Sequence, residues 1–284
     1  MQLVELPKPE GNVLVRVEAI GVNFLDVYHR SGLYPMPLPF VPGSEGAGVV
    51  EATGERVAWA MVPGAYAEYA SVPAEKLVPL PDAVDARTAA AVMLQGMTAH
   101  YLVASTFVLR EGHSALVHAA AGGVGGLLVQ LGKQRGARVV ATASPAKHAE
   151  VRALGADEVL DYSDPWPDGF DVVYDSVGRT TFDRSLDALK VRGTLVLYGQ
   201  SSGPVPAFDP SRLAKKGTYL TRPSLGHYTL TREELLWRAS DVFAAIESGA
   251  VRVRIDRELP LAEAAEAHRL LESRQTRGKL LLIP

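Results

Sequence analysis

Cysteine is absent from this chain of 284 residues, which removes disulfides, thiolate nucleophiles and cysteine-built zinc sites in one step. An excess of either charge is also missing. The 29 Lys and Arg stand against 32 Asp and Glu, a formal net charge of −3, so there is no electrostatic reason to expect nucleic acid. No long apolar run survives uninterrupted. The most apolar stretch is broken by a glycine cluster and followed at once by Lys133, Arg135 and Arg138, which argues against a membrane span. No basic segment leading into an apolar one opens the chain, and a soluble cytoplasmic protein is expected. The 7 histidines show no zinc spacing such as HExxH, and no Ser–His–Asp set is visible, so nucleophilic catalysis has no support. Asparagine is confined to Asn12 and Asn23, and arginine outnumbers lysine. Scarce thermolabile residues fit a heat-adapted source, although a GC-rich genome would give the same arginine bias.

What is present centres on Ala115–Gly136. The apolar run Ala115 to His118 has the length of a buried strand. A turn of small residues follows, Ala119 to Gly125, and then Val124, Leu127, Leu128 and Leu131 recur at helical spacing on one apolar face. Strand, glycine turn and helix is the context of a dinucleotide fingerprint, whose glycines bring the backbone close to a pyrophosphate at a helix start. The match departs from GxGxxG, with Ala120 in the first position and Gly122 and Gly125 in the others. A Gly-rich helix packed closely on a strand is the plainer alternative.

The next strand bears on the cofactor. An NAD-binding unit ends its second strand in an acid that holds the ribose 2′-hydroxyl. Here the strand ends Ala141, Thr142, Ala143, Ser144, and Lys147 lies three residues beyond. A carboxylate would repel a 2′-phosphate, whereas a hydroxyl and an ammonium can bind it, so these residues favour NADP(H). A solvated first-turn lysine is the alternative for Lys147.

In chain order, residues 1–20 read as strand, with Val13, Val15, Val17 and Ala19 alternating. Prolines and glycines over 21–61 predict loops and short strands, and the β pattern resumes at 64–73. An alanine-rich helix spans 85–104. Beyond the fingerprint come strand 137–143, helix 145–154, strands 158–162 and 170–177, helix 180–189 and strands 194–199 and 218–225. Apolar β runs alternating with helices predict a parallel sheet covered on both faces, a doubly wound fold. Two amphipathic helices, 231–249 and one ending near Arg274, precede the terminal strand KLLLIP.

The chain resembles the zinc-independent, zeta-crystallin-like quinone oxidoreductases of the medium-chain dehydrogenase/reductase superfamily. The resemblance is carried by VNFLDVYHRSGLY (22–34), LQGMTAHYL (94–102), VHAAAGGVG (117–125), VYDSVGRTTFDRSLDAL (173–189), RPSLGHYTLTREEL (222–235) and LLESRQTRGKLLLIP (270–284). It implies an α/β protein in which a Rossmann doubly wound parallel sheet (99–225) is inserted in a β-rich, GroES-like catalytic domain (1–98 and 226–284). The first strands and residues 51–60 are trimmed relative to the family, which implies a minimal catalytic domain. Zinc-dependent relatives carry a cysteine at the position of Asn23 and a histidine at that of Ser44, so no metal is expected.

The resemblance also assigns residues. Asn23, Asp26, Tyr28 and Tyr34 stand at the nicotinamide and substrate mouth, with Phe24 and Thr98 along the nicotinamide. Ala119, Ala120, Gly122, Gly123, Val124 and Gly125 hold the pyrophosphate, and Ser144, Lys147, Tyr162 and Arg274 surround the 2′-phosphate. Tyr198, Gly199, Gln200, Ser201, Pro223, Ser224 and Leu225 line the nicotinamide ribose and carboxamide. Local readings compete: Asn23 and Asp26 as turn residues, Tyr28 and Tyr34 as loop packing, Tyr162 as a cap on the sheet edge, Arg274 as a solvated charge or a complement to a helix C-terminus.

The implied activity is NADPH-dependent reduction of quinones in a cleft between the domains, with NADPH and no zinc. Reduced quinone oxygens can take protons from water, so no protein acid is compulsory; Tyr28 or Tyr34 is the candidate if one acts. The alternatives are an NADPH-dependent enal or enone reductase and a non-catalytic NADPH-binding protein. A homodimer is expected, because the last strand, near Tyr219 to Arg222, would otherwise leave an exposed sheet edge.

Overall fold

The computed structural model describes residues 1–284, and the backbone gathers into two compact units. The first comprises Met1–Met97 with Tyr228–Pro284, and the second Thr98–His227.

The first unit is built on a seven-stranded sheet. Its long strand β1 (Val13–Val22) pairs antiparallel with β2 (Glu45–Val50), β4 (Tyr69–Val72) and β13 (Lys279–Ile283). Strand β3 (Arg56–Ala60) joins β2, β5 (Val78–Pro79) joins β3, and β12 (Ile255–Pro260) runs parallel to β13. One strand serves three partners because β4 takes Val13–Arg16 and β13 takes Ile20–Val22 of one edge while β2 takes the other; the β1–β2 register shifts between Val17 and Ala19, a local irregularity that bends the ladder. Val15, Val17, Ile20, Trp59, Tyr66, Leu280 and Leu282 form the core.

Two differences from the sequence reading have plain causes. Residues 1–12 lie outside the first strand and are exposed throughout, Leu3, Val4 and Leu6 included, because Pro7, Pro9 and Gly11 interrupt any ladder ahead of Val13. The segment read as loops and short strands contains a helix, α1 (Phe24–Arg30), since FLDVYHR has neither proline nor glycine and, after Gly21, the next breaker is Gly32.

Helix α2 (Ala86–Tyr101) crosses from the first unit into the second. The second unit holds six strands in the order β11-β10-β9-β6-β7-β8, every pair parallel. They are β6 (Ser114–Val117), β7 (Arg138–Thr142), β8 (Glu158–Leu160), β9 (Phe170–Asp175), β10 (Leu189–Leu197) and β11 (Tyr219–Thr221). The chain winds outward from β6 through β7 to β8, then returns to β9 on the other side of β6 and continues to β11. That is the doubly wound Rossmann order, with its switch point between β6 and β9. Helices α3 (Gly123–Gln134), α4 (His148–Ala153) and α5 (Phe182–Asp187) connect the strands. Every residue of β9 is buried, as a central parallel strand covered on two faces requires.

Helices α6 (Arg232–Glu247) and α7 (Ala264–Glu272) complete the first unit. Thr231 and Glu234 form a reciprocal capping box at the start of α6.

A buried ion pair ties β2 to β13 across β1. Lys279 Nζ lies 2.6 Å from Glu45 Oε2, with side-chain exposures of 1% and 0%. The same ammonium donates to Asn23 Oδ1 at 2.8 Å, and the amide of Leu94 in α2 donates to Glu45 Oε1 at 2.6 Å. A Cβ at Gly21 would collide with the Glu45 carboxylate and with the Ala90 carbonyl of α2, so only glycine lets the strand pass here. Lys279→Met strands a buried carboxylate and is expected to cost about 3–5 kcal/mol in urea unfolding, with part of that loss recovered in Glu45→Gln/Lys279→Met. A single variant within 1 kcal/mol of wild type, by the same measurement, would contradict the pair's role.

Candidate functional site

In the second unit the turn after β6 meets the requirements of a pyrophosphate site. Helix α3 starts at Gly123 behind Gly122, which has no side chain to cap it. The first-turn amides of Gly123, Val124 and Gly125 therefore take no intrahelical acceptor and suit an anion. A Cβ at Gly125 would strike the Ala119 carbonyl, so this position must be glycine for the turn to close. The left-handed residue is Ala119, at φ +52°, while Ala120 is fully buried in the first fingerprint position.

Most of the residues assigned to the nucleotide follow strand ends of this unit. Ser144 follows β7, is exposed, and accepts the Lys147 amide at its carbonyl (2.9 Å). No carboxylate closes that strand end. Tyr162, just beyond β8, accepts the Ala119 N–H at its hydroxyl, 3.0 Å away, so it braces the turn itself. Tyr198 and Gly199 follow β10, and the Tyr198 amide donates to the Asp175 carbonyl at 2.9 Å. The Tyr198 hydroxyl is buried, and burial pushes it up beyond the ordinary phenol range, against the opposing effect of Ser176. Ser201 donates its amide to Ser176, and Gln200 accepts that of Gly203. Pro223 and Leu225 are buried, Ser224 is exposed, and Thr98 lies buried in α2. Arg274 belongs to the other unit, past the end of α7 at φ +61°.

In the first unit, α1 starts on Asn23 and is set by long-range bonds. The Asn23 amide group donates to Glu45 Oε2 (2.8 Å) and Gly21 O (3.1 Å), and its oxygen receives Lys279. Asp26, fully buried, accepts the Asn23 N–H (2.9 Å), the Ser44 hydroxyl (2.8 Å) and the Tyr66 hydroxyl (3.2 Å). Tyr66 also meets His268 Nε2 at 2.9 Å. Phe24, Tyr28 and Tyr34 gather beside this cluster. Phe24 and Tyr28 lie 6.1 Å apart, and Tyr28 and Tyr34 meet edge to face at 5.2 Å.

Known proteins share both halves. Residues 9–82 match the family described as alcohol dehydrogenase GroES-like domain, and 154–282 that described as zinc-binding dehydrogenase. A quinone oxidoreductase of Pseudomonas aeruginosa is 47% identical over 96% of this chain and 91% of its own. The chain belongs to the quinone oxidoreductase family. A solved Escherichia coli quinone oxidoreductase complexed with NADPH superposes with a TM-score of 0.94 at 38% identity, covering 100% of this chain and 95% of that one. A 2-haloacrylate reductase of a Burkholderia species is 39% identical over 96% of this chain and 91% of its own.

In this member of the quinone oxidoreductase family, several polar residues at the two clusters escaped the sequence reading: Glu45, Tyr66, His268 and Lys279 in one unit, His118, Asp175, Thr181 and Ser185 in the other. A signal existed for some of them. Asp175 follows the apolar run Val172–Tyr174, and Lys279 opens the terminal apolar run, so each is a charge placed where burial is expected. Ser185, His118 and Asp175 do come together, but the serine lies between the other two and all three are fully buried. That is not a nucleophile arrangement. No three His, Asp or Glu side chains converge as a metal site would require, and no helix is long and apolar enough to cross a membrane.

Burial moves the acid and the base of the first cluster in the same physical sense, toward neutrality. Asp26 rises to about 6, chiefly by desolvation, against the Ser44 and Asn23 bonds and the nearby Lys279. His268 falls to about 4, again by desolvation first, aided by Arg30. Asp26 therefore adds stability below its unfolded value near 3.8 and loses it as pH rises through about 6. His268 adds stability above its unfolded value near 6.5 and loses it as pH falls toward about 4. The two oppose each other over the same range. Relative to His268→Gln, the wild-type protein should lose about 3 kcal/mol of its advantage between those limits. Urea midpoints of both proteins from pH 7 to pH 4 check this, and a constant difference would sink it.

Proposed function

We propose that this protein uses NADPH to reduce quinones and does so without zinc. The observation that carries the cofactor half is the end of β7. It presents Ser144 with no carboxylate beside it and has Lys147 on the next turn, adjacent to a pyrophosphate turn that only glycine can close. Those residues fit a dinucleotide with a 2′-phosphate: Gly123, Val124 and Gly125 would hold the pyrophosphate, and Ser144 and Lys147 the 2′-phosphate. Tyr162 stands with them as a brace of the turn. Bound NADPH supplies the reducing equivalents.

The acceptor half rests on relatives and on a flat aromatic surface. The Pseudomonas relative is named a quinone oxidoreductase, and the E. coli structure is an NADPH complex. Phe24, Tyr28 and Tyr34 offer ring faces and edges on which a planar acceptor could stack. Asn23 and Asp26 act behind them by holding α1, since their side chains are committed to Lys279, Glu45, Ser44 and Tyr66. The same commitment argues against zinc: Asn23 and Ser44 stand where zinc-dependent relatives carry ligands, and both are neutral and already hydrogen-bonded.

A second reading, reduction of an activated alkene, is favoured by the 2-haloacrylate reductase relative. One experiment separates the readings. NADPH and NADH oxidation is followed anaerobically with ortho- and para-quinones beside enals, enones and 2-haloacrylate. Quinone turnover with NADPH preferred is expected, and Lys147→Ala should raise KM for NADPH about tenfold while leaving that for NADH unchanged. Tyr28→Phe/Tyr34→Phe should keep its rate and pH profile if water supplies the protons. Turnover of alkenes alone would transfer the assignment, and NADPH binding without turnover would remove the enzyme.

The edge strand β11, with Tyr219 62% exposed, supports pairing of two copies into one continuous sheet. Light scattering at micromolar concentration should give twice the chain mass; a monomer would dispose of this.

A further inference from the structure

The residue before the strained Ala119 is a histidine with every ring nitrogen engaged. His118 Nδ1 lies 2.8 Å from Thr142 Oγ1, at the end of β7, and Nε2 lies 3.0 Å from Ser185 Oγ in α5. Ser185 in turn donates to Asp175 Oδ2 at 2.8 Å, at the end of β9. Asp175 is fully buried and also receives the Thr181 hydroxyl at 2.7 Å and the amides of Val177 (2.8 Å) and Gly178 (3.0 Å).

The directions of these bonds follow from counting protons. Ser185 has one hydroxyl hydrogen and gives it to the carboxylate, so toward His118 it can only accept. His118 must then carry its hydrogen on Nε2, which leaves Nδ1 as the acceptor for Thr142. The chain therefore runs one way, Thr142 to His118 to Ser185 to Asp175, with nothing unpaired. A second ring proton would reverse the threonine and break the order. Burial keeps that proton off, lowering the imidazole below its ordinary range despite the nearby Asp175.

The location gives the chain its meaning. His118 directly follows β6 and Asp175 closes β9, the two strands on either side of the switch point where doubly wound sheets bind their ligands. Ala119 keeps φ at +52°, a conformation that persists in a non-glycine residue only when its surroundings over-determine it. Those surroundings are the His118 ring, the Tyr162 hydroxyl on the Ala119 amide, and the Ala120 amide on the Thr142 carbonyl (3.1 Å). Thr142 lies two residues before Ser144.

We propose that His118 is the positioning residue of the cofactor turn: with its proton on Nε2, it ties the pyrophosphate turn to the strand end that holds the 2′-phosphate, and so sets the span between the two sites. This rests on the NADPH reading above. It makes His118 matter for a ligand that bridges both sites and not for one that fills only the second.

The test compares NADPH with adenosine 2′-phosphate, which lacks the pyrophosphate, by calorimetric titration of the whole protein. The variants are His118→Gln, which keeps a group only at the Nε2 position, and Thr142→Val, which removes the hydroxyl at constant shape. For both, Kd for NADPH should rise at least tenfold while that for adenosine 2′-phosphate stays within twofold of wild type. Wild-type affinity for NADPH in either folded variant would overturn the proposal. So would a parallel loss of both ligands, which would mean general loosening of the unit. Nitrogen NMR of the wild-type protein gives an independent reading, because an His118 ring protonated on Nδ1 would also overturn it. A wild-type protein that binds adenosine 2′-phosphate and NADPH not at all would instead remove the cofactor reading on which this stands.

Discussion

The ammonium of Lys279 sits in the interior of the first unit, out of reach of water, and its bonds to Glu45 and Asn23 decide how four elements meet. A charge in that position is tolerable only when countered and hydrogen-bonded. Glu45 supplies the counter-charge from β2, Asn23 the second acceptor from the start of α1, and Leu94 of α2 occupies the other carboxylate oxygen. Strand, helix and terminal strand are thereby registered on a single point. The aromatic group of Phe24, Tyr28 and Tyr34 is carried by, or packed on, the helix that this point holds.

The second unit solves a similar problem with hydroxyls and an imidazole in place of a cation. Asp175 is a carboxylate at the end of a buried strand, and it is satisfied by two amides and two hydroxyls. In a medium of low polarity such a network has one good arrangement and many poor ones. It is therefore a source of rigidity, placed at the sheet position where a bound dinucleotide would need it. The Asp26–Tyr66–His268 group contrasts with it. There an acid and a base are both pushed toward neutrality, and His268 Nδ1 remains unpartnered.

Much of the architecture was legible because periodicity reports burial. The apolar runs of β6, β7 and β9 and the heptad-like spacing in α3 mark a parallel sheet with covering helices, and the glycine turn marks the cofactor end. Helix α1 was not legible: seven residues between a strand and a proline-rich loop are too few for a period to emerge from the breakers around them. Strand β12, with arginine and glutamate among its exposed residues, was missed because it lies at a sheet edge and has little apolar face to show.

By itself the sequence determined the doubly wound fold, the missing thiols, and the absence of an acid at the strand end that discriminates the cofactor. These are local properties, carried by residue type and near-neighbour spacing. The tertiary structure alone decided that Lys279 would meet a glutamate 234 positions away, and that His118 would reach Ser185, 67 positions on. The physical reason is that a buried polar group can be recognised in a sequence only as an oddity. Its partner is set by which strand ends the folded sheet brings together, and no local pattern carries that information.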